Sequence, residues 1–284
     1  KSYKADLVLP HAFAFYSKLE ALLQTQFFHH KPILELFSSG KNRNDWFARS
    51  GDADLEGYTG DILTSGQIPD HIKNNHGGIL LHRSGYLKTT MFLEAVRQHI
   101  STNATLIRER VLPETITPEK NGVLWKGKKY DKVIFCEGYE AISNPFFSHL
   151  PFVPAKGEII DFFAEDLCED YIINNGNFIL PIGNHHFKAG STYSWTELNT
   201  TPTPSALEEL TKNLTETISC KFEVTGQKAA VRPAVKDRRP YLGFHPHHQA
   251  IGIFNGLGTK GTMLGPYFSD QLSSAILRNT AIDD

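Results

Sequence analysis

Apolar and polar positions alternate in two distinct rhythms along this chain. From Leu9 to Leu23, apolar residues at 9, 13, 16, 19 and 23 make one face of an amphipathic helix, with Lys18 and Glu20 on the wet side. Phe27 to Phe37 reads as a strand interrupted at Pro32, and the forty residues after it, rich in Gly, Asn and Asp, predict short elements joined by turns. Gly78 to Ser84 predicts a short strand ended by Gly85. Phe92, Leu93, Val96 and Ile100 then place a helix over 89–100. Strand character resumes over 103–112. A small meander around Gly122 to Trp125 follows, and it runs into a buried strand from Lys132 to Cys136. That near-continuous apolar run, stopped by Gly138, fits a strand at the centre of a sheet with a ligand at its carboxyl end; an ordinary core strand ended by a turn glycine gives the same pattern.

From Pro154 to Val231 the rhythm changes. Strand candidates at 157–163, 171–180, 186–192 and 221–230 are joined by short turns. One helix lies among them, with Thr203 as its N-cap, Pro204 at its first position and Leu207, Leu210, Leu214 and Ile218 along one face. An antiparallel sheet with one helix is the expectation. The chain closes with strand, turn and helix: Ile251 to Phe254, then Gly256, Gly258 and Gly261, then Leu264, Phe268, Leu272 and Ile276 at helical spacing. Central-sheet pieces therefore flank an antiparallel block, and a discontinuous two-domain protein follows.

The closing turn spells GxGxxG, where glycine lets backbone amides at a helix N-terminus approach an anion or a polarised cofactor atom. It is not a dinucleotide fingerprint. That motif opens a βαβ unit with an acidic residue roughly 20 positions further on, whereas here a single helix follows. The turn reads as a cofactor contact of another kind.

Composition narrows the function classes. With 29 Lys plus Arg against 31 Asp plus Glu, the near-zero net charge makes no electrostatic case for nucleic acid or an anionic membrane. Cys136, Cys168 and Cys220 are too few and scattered for a disulfide framework or a zinc site, and are expected as buried or semi-buried thiols of a cytoplasmic protein. No apolar run approaches the roughly 20 residues of a membrane helix. The pairs His29/His30, His185/His186 and His247/His248 predict no metal, because neighbours on a strand point to opposite faces.

The order VIFCEG, PAKGEII, AGSTYS, AVRPAVKDRRPYLG and NGLGTKGTMLGP resembles the FAD-dependent D-amino-acid oxidase superfamily, which includes glycine and sarcosine oxidases and the oxidase domain of a bifunctional tRNA-modifying enzyme. The strongest pieces are Arg232, Pro233, Asp237, Pro240 and Gly243 at their mutual spacing, together with the glycine turn near the end of the chain. The resemblance implies a mixed α/β and α+β fold: a Rossmann-type FAD-binding domain interleaved with an antiparallel-sheet substrate domain. The expected division is 1–102 shared between the two, 103–150 and 236–284 in the FAD-binding domain, and 151–235 in the substrate domain. Lys1 to Gly60 holds no glycine-rich turn between strand and helix, the feature that would bind the ADP half of FAD. The expectation is that several tens of residues carrying it precede Lys1; the alternative is a non-catalytic remnant or binding protein of the same fold.

The resemblance implies FAD as cofactor, a carboxylate-bearing amine or amino acid as substrate, and oxygen or another electron acceptor as partner. It gives Arg232 the substrate carboxylate, since guanidinium binds carboxylate in bidentate fashion. From the residues alone, a structural ion pair with Asp237 serves equally. Lys260 would meet the substrate carboxylate or stabilise negative charge where oxygen reacts, or else face solvent as a loop lysine. Tyr193 is a candidate pocket phenol or a packing tyrosine. Cofactor contacts are expected from Cys136, Gly138, Asn255, Gly256, Leu257, Gly258, Thr259, Lys260 and Gly261, with the helix N-terminus stabilising charge on the reduced cofactor. A tRNA-modifying oxidase remains the further alternative, against which the near-neutral charge argues.

Overall fold

The structure, a computed structural model, describes residues 3–282. In chain order the elements are helix α1 (Ala5–Leu23), strands β1 (Phe28–His30) and β2 (Ile33–Leu36), helix α2 (Gly40–Ser50), strands β3 (Thr59–Leu63), β4 (Gly78–Leu81) and β5 (Gly85–Leu87), and helix α3 (Thr89–Asn103). Strands β6 (Thr117–Glu119), β7 (Gly122–Trp125), β8 (Lys128–Tyr130) and β9 (Val133–Phe135) follow, then β10 (Ala155–Phe163), β11 (Ile172–Asn175), β12 (Asn177–Gly183) and β13 (His186–Gly190). Helix α4 (Pro204–Thr217), strands β14 (Glu223–Arg232), β15 (Tyr241–His245) and β16 (His248–Asn255), and helix α5 (Gly261–Arg278) complete the chain. It divides into two compact units, one of residues 1–27, 89–155 and 231–284, the other of residues 28–88 and 156–230. The second unit thus takes 156–230 of the expected 151–235 and adds 28–88 to it.

The second unit is built on an eight-stranded sheet in the order β14-β10-β13-β12-β11-β2-β4-β3. Alternate residues of β10, Ile160 and Phe162, are fully buried with Leu34, Ile173, Phe187 and the α4 residues Leu210 and Leu214, so α4 covers one face. Its start is as expected: the Thr203 hydroxyl accepts from the Ala206 amide at 3.3 Å and Pro204 opens the helix. The sheet is not purely antiparallel, because β11 runs parallel to β2 with Ile173 opposite Leu34. Nor is 171–180 one strand: the chain reverses at Gly176 into the β11–β12 hairpin. Gly85 does not end a strand either; it begins β5, which pairs with β1. Helix α2, unforeseen among the Asn and Asp residues, starts where the Ser39 hydroxyl accepts from the Asn42 amide.

The first unit holds the three-stranded sheet β15-β16-β9, the meander β6-β7-β8 and helices α1, α3 and α5. Ile251 and Ile253 of β16 and Phe135 of β9 are buried with Ile116, Val123 and Phe147. Strand β9, expected at the centre of a sheet, lies at the edge of this one among the described residues. The strand expected over 103–112 does not form. Residues 104–112 are irregular, and Leu106, Ile107, Val111 and Leu112 stay exposed, because Arg108, Glu109 and Arg110 interrupt the alternation and Leu112 precedes a proline. Helices α1 and α5 pack together through Val8, Leu264 and Phe268.

Candidate functional site

The parallel pair β9 and β16 aligns Phe135 with Ile253, so both strands deliver their carboxyl ends side by side. In an open α/β arrangement that is the edge where ligands collect. Beyond the ends lie Cys136 to Gly138 on one strand and Asn255 to Gly258 on the other. Asn255, 3% exposed, joins them: its Nδ2 donates to the Gly138 carbonyl at 2.8 Å and its Oδ1 accepts from the Gly256 amide at 2.8 Å.

The backbone at both turns needs glycine. Gly138, Gly256 and Gly258 have φ of 62°, 75° and 55°, in the left-handed region that L side chains rarely enter. At Gly256 a Cβ would also lie 2.9 Å from Val235 Cγ1, so packing and conformation both exclude a side chain. Beside Gly138 there is open space, and near Gly258 only Ala234 Cα comes within 4 Å, at 3.9 Å. Nothing but backbone is presented there.

The same turn reaches the Arg-Pro stretch. The Gly258 amide donates to the Pro233 carbonyl at 3.2 Å, which sets the residue after Arg232 against the turn. Arg232 ends β14 and is half-buried. Asp237, its expected ion-pair alternative, accepts from the Arg239 amide at 3.1 Å, and the exposed Arg239 guanidinium lies over the Tyr3 ring. Leu257 packs into the α1–α5 core, Thr259 and Lys260 are exposed, and Lys260 is the N-cap of α5, which begins at Gly261. A cation at that end adds to the positive end of the helix dipole instead of offsetting it, which weakens the helix but concentrates positive potential beside the turn.

One supporting residue was not foreseen. Pro266 lies inside α5 and has no N–H to give the Thr262 carbonyl four residues before it. The Tyr16 hydroxyl of α1 donates to that carbonyl instead, at 2.7 Å. Tyr16 is 4% exposed, and burial pushes its phenol up to about 12. The signal in the sequence was Pro266 in a helical pattern, which announces a carbonyl in need of a donor; its position in the chain gives no hint that Tyr16 supplies one.

Cys136 is exposed rather than buried. Desolvation and the neighbouring Glu137 carboxylate raise its thiol nonetheless, so it is a neutral thiol and not a nucleophilic thiolate. Tyr193 belongs to the other unit, where it is 54% exposed and stacked on Trp195 with ring centroids 6.1 Å apart.

Residues 2–274 match the family model described as FAD dependent oxidoreductase. The chain belongs to that family. It is 24% identical over 248 residues to the glycine oxidase of Bacillus subtilis (strain 168), an overlap of 84% of this chain and 64% of the relative, so it spans less than two thirds of that protein's length. In fold it is similar to glycine oxidase from Geobacillus kaustophilus, with a TM-score of 0.81, 17% identity, and coverage of 97% of this chain and 79% of that one. Iminodiacetate oxidase from Chelativorans sp. BNC1 gives 0.79 and 19%, over 98% and 80% of the two chains.

The residues at the paired turns suit the ring end of FAD. They offer bare backbone at Gly138 and Gly258, open space beside Gly138, and a helix N-terminus at which the side chain of the N-cap residue makes no capping hydrogen bond. No helix of the described residues is long and apolar enough to cross a membrane.

Proposed function

We propose that this protein oxidises the C–N bond of a small amino acid or secondary amine bearing a carboxylate, with FAD as its cofactor. When bound, FAD supplies the acceptor for the hydride equivalent leaving the carbon next to nitrogen. The observation that carries the reading is the bond from the Gly258 amide to the Pro233 carbonyl, which ties the turn suited to the cofactor ring to the residue that follows Arg232 in the chain.

On this reading Arg232 binds and orients the substrate through a bidentate pair that a lysine cannot reproduce. The backbone of the 256–258 turn, held in shape because the Gly256 and Gly258 amides are tied to Asn255 Oδ1 and the Pro233 carbonyl, and the N-terminus of α5 face the ring, and Lys260 adds positive charge where electron density accumulates. Tyr193 is proposed as a pocket phenol. A substrate arriving with a neutral amine needs no protein acid or base for the transfer. Glycine and iminodiacetate, named in the relatives, are both small amines with carboxylates, and they define the class to test first.

Steady-state kinetics of Arg232→Ala and Arg232→Lys with glycine test the assignment. The expected result is a KM about a hundredfold higher for the alanine variant and a partial loss for lysine, corresponding to about 3 kcal/mol of binding. Unchanged kinetics in a folded, FAD-loaded variant assign Arg232 to structure.

A further inference from the structure

Lys156 and Glu158 are 2% and 3% exposed, on the face of β10 that also carries Ile160 and Phe162. Burying a lysine and a glutamate together stabilises a fold less well than packing two apolar side chains in their place. What the pair achieves is geometric. Lys156 Nζ lies 3.5 Å from Glu158 Oε1 and donates to Asn199 Oδ1 at 2.9 Å and to the Thr201 carbonyl at 2.6 Å. Glu158 accepts from the Thr203 amide and hydroxyl, each at 2.9 Å, and from Gln227 Nε2 at 2.9 Å.

The backbone of the same two residues holds the other end of that segment. The Lys156 amide donates to the Ser194 carbonyl at 2.8 Å and its carbonyl accepts from the Ser194 amide at 3.0 Å. The Glu158 amide donates to Thr192 Oγ1 at 3.0 Å, and its carbonyl accepts from the Thr192 amide at 3.2 Å. One pair of neighbouring β10 positions therefore grips residues 192–194 by main chain and 199–203 by side chain. Between the grips stand Tyr193 and Trp195, stacked on each other and 54% and 62% exposed.

We propose that Lys156 and Glu158 are positioning residues: they touch no substrate, and they set substrate affinity by holding the segment that presents Tyr193 and Trp195. The substrate half of this statement rests on the reading of Tyr193 given above. The positioning half does not.

The test compares Lys156→Met, Asn199→Ala and Asn199→Asp in the whole protein. Asn199 is exposed, so its variants fold even where Lys156→Met does not, and aspartate restores an acceptor for Lys156. Chymotrypsin cutting after Tyr193 and Trp195, located by mass spectrometry, reports local opening of the segment. The expected result for Lys156→Met and Asn199→Ala is cleavage there about tenfold faster with other sites unchanged, a KM for glycine about fivefold higher with kcat little altered, and recovery of both in Asn199→Asp. Unaltered cleavage in folded Asn199→Ala overturns the positioning role. Faster cleavage with an unmoved KM upholds positioning but overturns the substrate half, and the reading of Tyr193 with it.

Discussion

Asn255 Nδ2 donates to the Gly138 carbonyl at 2.8 Å across two strands that are far apart in sequence, while its Oδ1 accepts from the Gly256 amide next door. A single buried side chain thus fixes both turns at the carboxyl ends of β9 and β16. Asn255→Ala leaves the Gly138 carbonyl and the Gly256 amide without this partner, and a loss of about 1–3 kcal/mol in urea denaturation is expected. FAD affinity is expected to fall with it. Asn255→Asp is expected to be no better, because a carboxylate has no donor for Gly138.

Gly256 and Gly258 separate fold from cofactor. At Gly256 a Cβ meets Val235 at 2.9 Å on top of a positive φ, so Gly256→Ala is expected to lower stability by about 2–4 kcal/mol. At Gly258 the nearest atom is 3.9 Å away, and the conformational term of about 1–2 kcal/mol remains alone. Gly258→Ala is expected to fold and to lose FAD affinity, because its methyl stands where backbone should be bare. Thermal melts beside FAD titrations of the two variants check the contrast.

Tyr16 makes stability depend on alkaline pH. Burial holds its phenol at about 12 against an ordinary 10.0, so between these values the unfolded chain releases a proton that the folded chain retains. Stability is then complete below pH 10 and falls as pH rises toward 12, by about 3 kcal/mol in all. Tyr16→Phe is expected to cost about 1–3 kcal/mol at neutral pH, from the unsatisfied Thr262 carbonyl, and to flatten that alkaline fall. Urea denaturation at a series of pH values measures both effects.

How much of this was legible depended on how local each signal is. Helix α4 was legible to its capping threonine, since Thr203, Pro204 and the leucine spacing lie within a few turns. The strand–turn–helix at the end of the chain was legible for the same reason, and the glycines marked the turn. Pairing between distant segments was not: the parallel contact of β11 with β2 and the edge position of β9 depend on which strands meet, and no periodicity encodes that. The run from Leu106 to Leu112 misled because apolar residues without strict alternation suit an irregular segment as well as a strand. Within the candidate site, Arg232 and the glycines stand out in the sequence by residue type. The buried clamp of Lys156 and Glu158 did not, because two charged residues on a strand ordinarily face water.

The central claim is that the paired glycine turns hold the ring of FAD beside an arginine that binds a substrate carboxylate. The visible absorption spectrum of the whole protein with FAD, recorded without oxygen before and after addition of glycine, tests it most directly. The account predicts protein-bound flavin bands that bleach on addition of glycine, and in Arg232→Ala the same bands with at least about tenfold more glycine needed to bleach them. A protein that takes up no FAD, or one whose flavin bands are left unchanged by glycine and by iminodiacetate, contradicts it.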